Sequence, residues 1–161
     1  IQSAMKNTFI FGLVGLVIFL SSCVDDAQLE KDDLTGRWEN VSPDPEDSSS
    51  VIVLYYEMKS DFTLEEGYLK RNLESKEESY RFLATSEYAA KNGFLEFTNY
   101  TTYDVGESAG ALEFVAKEKL EKYGPSLSRK MSYELLENNK VLLVYQGCPA
   151  DICYDILYDK L

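Results

Sequence analysis

The chain has no histidine among its 161 residues. That absence removes the Ser-His-Asp and Cys-His nucleophile systems, and with them the commonest neutral metal ligand. Basic residues are scarce as well: 16 Lys and Arg stand against 28 Asp and Glu, for a formal net charge of −12. Nucleic acid is therefore not an expected partner, because phosphate recognition needs a basic footprint. Long apolar stretches are missing too. The run from Phe9 to Leu20 is twelve residues, where a membrane-spanning helix needs about 20. What the chain does hold is aromatic surface, 13% of residues with twelve Tyr. That is too much for a disordered acidic tail and enough to fill the core of one ordinary domain.

The N-terminal segment reads as a targeting signal. Lys6 precedes the Phe9–Leu20 run, and small residues follow it, the pattern of a secretory signal. Met5 is the expected initiator, with Ile1–Ala4 upstream of it. The end of the run, Leu20-Ser21-Ser22-Cys23, resembles the signal of bacterial lipoproteins, which is cut before a cysteine that is then lipidated. The residues alone also fit an ordinary cleaved signal or a short anchor. The resemblance implies acyl chains on Cys23, attachment to the outer membrane through that lipid, and a periplasmic or cell-surface position. Residues 24–33 are polar and acidic and suit a tether. Acidic residues just after the lipid cysteine resemble surface-export signals of Bacteroides-group lipoproteins, although any solvated linker has this composition. The expected organisation is a signal over 1–22, a tether over 23–33 and a folded domain over 34–161.

Within that domain the apolar pattern has period two. Ile52, Leu54, Tyr56 and Met58 alternate with Val51, Val53, Tyr55 and Glu57, and Tyr80, Phe82 and Ala84 alternate with Arg81, Leu83 and Thr85. Asn92-Gly93 marks a tight hairpin whose two central positions need positive φ, and Asn138-Asn139 plays a similar part. The series predicts an all-β fold, an antiparallel up-and-down barrel of eight to ten strands. One stretch dissents. Ala109–Tyr123 reads either as a helix, with Ser108 as cap and Gly124-Pro125 as stop, or as a strand through Leu112, Phe114 and Ala116.

The body opens on Gly36-Arg37-Trp38, continues through Met58-Lys-Ser-Asp-Phe-Thr-Leu64, and carries Tyr88-Ala-Ala-Lys-Asn-Gly-Phe-Leu95 and, more loosely, Tyr133-Glu-Leu-Leu-Glu-Asn-Asn-Lys-Val-Leu142. In this order the motifs resemble the lipocalin-like (calycin-type) domains of bacterial lipoproteins over about residues 34–161. Asp61 lacks the Gly that follows it in that pattern, and a Thr-Asp-Tyr motif is absent, since Thr102-Tyr103-Asp104 has the wrong order. The resemblance implies that Gly36 and Trp38 are structural and close one barrel end, with Lys160 or Arg129 stacked over the indole.

An eight-stranded barrel holds either a filled core or one small ligand. The expected inward set is Tyr56, Tyr68, Tyr80, Phe82, Phe97, Tyr133 and Tyr145, whose apolar rings with polar tips suit a small hydrophobic or amphipathic ligand. The bland alternative is that they only fill the core, leaving a surface module that recognises a protein or glycan. Glu65 and Glu66 point to opposite faces of a strand and cannot share a site. No calcium loop is present, and no catalytic constellation, cofactor signature or metal-ligand spacing stands out. The expected activity is therefore binding rather than catalysis, with no cofactor and no metal, and any protein partner is unspecified.

Cys148 and Cys153 remain once Cys23 is assigned to lipid. In an oxidising compartment such a pair bonds. A zinc pair without histidine and a Cys-x-x-Cys redox site both fit the spacing poorly. Non-reducing mass analysis is expected to find neither thiol free, and both to appear after reduction. Free thiols at both positions in the non-reduced protein would refute the pairing.

Overall fold

A computed structural model of the chain describes residues 33–106, 113–145 and 155–161. Cys23, Cys148 and Cys153 lie outside these residues, as do 109–112 of the ambiguous stretch. Eight antiparallel strands follow in sequence: β1 Gly36–Pro43, β2 Ser50–Met58, β3 Thr63–Asn72, β4 Glu78–Lys91, β5 Phe94–Asp104, β6 Glu121–Leu136, β7 Val141–Tyr145 and β8 Asp155–Lys160. Each pairs with the next, and β8 returns to β1, closing an up-and-down barrel. The all-β barrel read from the period-two pattern is the architecture found, at the lower end of the expected strand number.

Turn chemistry sets several of these registers. Asn92 and Gly93 both have positive φ, 54° and 73°, as a two-residue hairpin with the strand twist requires. Asn138 and Asn139 are also left-handed, at 57° and 63°. In the β2–β3 turn the left-handed position belongs to Phe62, φ 65°, directly after Asp61, where the resembled pattern has glycine. Asp61 holds this turn by accepting hydrogen bonds from the Thr63 amide (3.0 Å) and hydroxyl (2.6 Å), and the Phe62 ring packs near Tyr88 at 6.2 Å.

The helix reading of Ala109–Tyr123 does not hold over the described residues 113–123. Val115 instead exchanges two backbone hydrogen bonds with Tyr80, 2.6 and 2.9 Å, so this segment extends the sheet beside the start of β4. A single 3₁₀ turn, Lys117–Lys119, follows, and β6 begins at Glu121. Sheet pairing and burial of Leu120 against an apolar cluster outweigh a helix propensity worth only tenths of a kcal/mol per residue.

Two apolar clusters result. The larger fills the barrel interior from Leu34, Trp38, Tyr56, Met58, Leu64, Tyr88, Leu95, Phe97, Tyr133, Leu142, Val144 and Tyr158, among others. Trp38 is fully buried and donates its indole N–H to the Leu34 carbonyl at 2.7 Å. Lys160 lies over the ring at 4.9 Å and donates to the Asp33 carbonyl at 2.7 Å. Of the two cations expected there, Lys160 occupies the position; Arg129 lies over Tyr100. The second cluster, Val53, Tyr55, Leu69, Tyr80 and Leu83, sits on the outer face of β2–β4 and is joined by Leu120. The continuous apolar run of β2 thus has a cause, because both of its faces are covered.

Gly67 is required by this outer cluster. It pairs with Tyr55 across β2–β3, and a Cβ at Gly67 would collide with the Tyr55 ring. The ring cannot easily yield. It is 1% exposed, its hydroxyl is bonded to Glu65 at 2.7 Å, and Arg37 stacks on it at 4.0 Å. Gly67→Ala is expected to destabilise the fold by about 1–3 kcal/mol, the usual range for overpacking. In a double-mutant cycle read by denaturant unfolding, Tyr55→Val should remove most of that penalty. Additive effects would show that the contact is not the cause.

Candidate functional site

The barrel interior is not uniform along its axis. Around Trp38 it is packed solid. Towards the other end, β5 and β6 lose regular pairing, with register shifts between Phe97 and Tyr100 and again between Tyr100 and Thr102. Residues 121–128 of β6 are consequently exposed. Between β4, β5 and this part of β6 lies a cavity of about 400 Å³, lined by Phe82, Tyr100, Thr102, Asp104, Tyr123, Pro125 and Leu127. Its walls are mainly apolar and aromatic, and its volume falls in the range of small-molecule sites, roughly 300–1,000 Å³. A larger hollow of about 530 Å³ opens beside Asp47, Ser50, Lys70 and Glu77. It is a polar depression whose Lys70 is already held by Asp44 at 2.7 Å and Asp47 at 3.3 Å.

A polar cluster adjoins the cavity through Tyr100. The Tyr100 hydroxyl donates to Glu66 Oε2 at 2.8 Å, and the Tyr56 hydroxyl donates to Oε1 at 3.3 Å. Arg129 Nη1 lies 3.3 Å from both Glu66 Oε2 and the Tyr100 oxygen. All four are drawn from strands whose neighbours face inward: Glu66 pairs with Tyr56 and Ala84, and Arg129 with Phe97. Burial, and then the Glu66 charge, push the Tyr100 phenol well above its ordinary range, so it stays a protonated donor. Burial opposes the charge on Arg129, but Glu66, Tyr56 and Tyr100 together outweigh it and the guanidinium is stabilised. Glu65 turns outward to Tyr55 and Lys117, so the two adjacent acids serve opposite faces, as strand geometry dictates.

The seven expected inward aromatics divide into three groups. Tyr56, Phe97 and Tyr133 are inside but buried in the packed core. Phe82 lines the cavity, and Tyr68 packs against Phe114 at 5.5 Å. Tyr80 and Tyr145 are corrections, since both face outward. A bulge at Arg81 shifts the β3–β4 register and turns Tyr80 into the outer cluster. The hairpin register pairs Tyr133 with Val144, which leaves Tyr145 on the outer face near Glu134. The residues missed are Tyr100, Thr102, Tyr123, Leu127, Glu66 and Arg129. Counting in twos from Phe97 predicts Asn99 and Thr101 inside. Asn99 takes φ 54° and shifts the phase, so Tyr100 and Thr102 point in. An Asn within a strand, tolerant of positive φ, was the available signal for that bulge.

A second polar network lies outside, where Glu39 is nearly fully buried. It accepts from Arg37 Nε at 2.6 Å and from Arg71 Nη1 and Nη2 at 2.9 and 2.6 Å, while Glu78 takes Arg71 Nε at 2.9 Å. Among the described residues no group of three or more Cys, Asp and Glu is placed to hold a metal ion. Compared with protein-family models, with curated proteins and with solved structures, the chain has no match.

Burial works against an ionised Glu39, but the hydrogen bonds from Arg71 and Arg37 prevail and hold its carboxyl below the usual carboxylate range. The stability this contributes is present above that range and is lost as pH falls through the depressed pKa. Glu39→Gln should cost about 3 kcal/mol at neutral pH, as expected when one partner of a buried ion network is removed. It should also flatten the acid limb of a stability-against-pH profile measured by urea unfolding. An unchanged acid limb would show that Glu39 is not the group responsible.

Proposed function

We propose that this chain is a lipid-anchored protein of the outer membrane whose barrel binds a small hydrophobic or amphipathic molecule in its open half. The observation that carries the binding part is the cavity of about 400 Å³ between β4, β5 and β6, bordered by a hydrogen-bonded polar cluster. Apolar walls with a few convergent polar groups are what an amphipathic ligand needs. The filled half around Trp38 acts as a rigid base for the site. The anchoring part rests on the Leu20-Ser21-Ser22-Cys23 signal and the acidic residues after it. A protein held at a membrane by its N-terminus meets amphipathic molecules at high local concentration, and a largely acidic exterior keeps it solvated.

Filling the cavity tests the reading. Thr102 lines it and is half-buried, so Thr102→Trp should occupy the space while leaving the Trp38 end untouched. With the Cys23→Ser protein and an environment-sensitive fluorescent amphiphile, the parent should bind saturably. Thr102→Trp should bind about tenfold more weakly or worse, a loss of roughly 1.4 kcal/mol or more. Equal binding by both proteins, or none by the parent, would overturn the assignment.

A further inference from the structure

We propose that the barrel's ligand carries an uncharged, oxygen-bearing head group, and that the Glu66–Arg129 pair beside the cavity imposes this choice. The inference rests on the binding reading above and adds the class of ligand. Arg129 uses Nη1 for Glu66 and Tyr100. Its Nε and Nη2 hydrogens have no partner among the described residues, and its side chain is 33% exposed. The guanidinium therefore retains donors for an incoming acceptor. Glu66 is more fully engaged, with two phenols and the guanidinium already on its carboxylate.

Charge decides what that acceptor is. The pair is balanced, one positive and one negative group at 3.3 Å. Asp104, which also lines the cavity, is likewise faced by Arg81, 3.9 Å away. An anionic head at Arg129 would leave a net negative charge against mostly apolar walls and would compete with Glu66. It would also approach a chain of net charge −12. A cationic head would need Glu66, whose oxygens are occupied, and would meet Arg129. Partly stripping water from an unbalanced charge costs more than doing so for a hydroxyl or carbonyl that finds a donor. A neutral head gains the spare guanidinium hydrogen bonds without that cost. The Tyr100 hydroxyl, held on the same pair, brings this chemistry to the cavity wall. The class indicated is a neutral amphiphile with an alcohol, ester or amide head and one apolar chain.

Three ligands of matched chain test this: decanol, decanoate and decylamine. Each is titrated at neutral pH as competitor of the fluorescent amphiphile, against the full-length sequence expressed with Cys23→Ser. Decanol should bind about tenfold or more tightly than either charged analogue. Tighter binding of decanoate or decylamine would overturn the inference while leaving amphiphile binding intact. Failure of all three to compete, with no saturable probe binding, would overturn the binding reading itself. The wild-type ranking decides the head-group class whether or not variants fold. The variants decide its source. Glu66→Gln leaves Arg129 unbalanced and should move the preference to decanoate, and Glu66→Gln/Arg129→Gln should return it to decanol. A preference for decanol that ignores both changes would overturn the role given to the pair.

Discussion

Closure of the sheet between its first and last strands is the constraint on which the rest of the molecule depends. The seam is short, pairing Trp38 with Lys160 and Glu39 with Asp159, and is extended by the Leu161 amide on the Arg37 carbonyl and by Asn40 Nδ2 on the Leu157 carbonyl. Closing a sheet gives every strand residue an inside or an outside and removes the edges that invite aggregation. Trp38 sits at this seam and serves both sides of the requirement. Its ring fills the barrel end, its N–H is satisfied by Leu34, and its face receives the Lys160 cation from the strand that closes the barrel. Immediately beside it, Glu39 points outward and ties β1 to Arg71 of β3.

A closed barrel of this size has too little volume to be both fully packed and open along its length. The chain divides the two roles along the axis. Large inward side chains from all eight strands meet around Trp38, whereas bulges at Asn99 and around Tyr100 draw β6 out of regular pairing at the other end. The same irregularities expose Tyr123 and Leu127 and leave room between Phe82, Tyr100 and Thr102. The cavity therefore exists because of backbone departures from the ladder, which fits the frequent placement of bulges at barrel rims and next to functional sites. The segment over 113–120 covers the start of β4 that β5 does not reach. It pairs with Tyr80, packs Phe114 on Tyr68 and clasps Glu65 through Lys117 at 2.8 Å.

Much of this was legible locally. Asn92-Gly93 has the positive φ values its turn demands, and Trp38 and Lys160 meet at the closed end as the ordered motifs imply. Tyr56, Phe97 and Tyr133 fall inside because period two holds across them without interruption. Tyr80 and Tyr100 were not legible by the same count, since one extra residue at Arg81 or Asn99 reverses every side chain beyond it. Leu120 looked like part of a helical stripe, and its burial comes instead from an outer cluster on β2–β4 that no local pattern announces.

The sequence by itself determined the class of fold, the hairpin positions and the absence of histidine chemistry, because these follow from residue type and from spacings of one or two residues. Tertiary structure alone decided where the cavity lies and what charge stands beside it. Glu66 and Arg129 are 63 residues apart in the chain, and each alone reads as an ordinary surface charge. Only barrel closure, with the phase set by each bulge, turns both inward, where partial loss of water strengthens their attraction over that of a fully exposed pair.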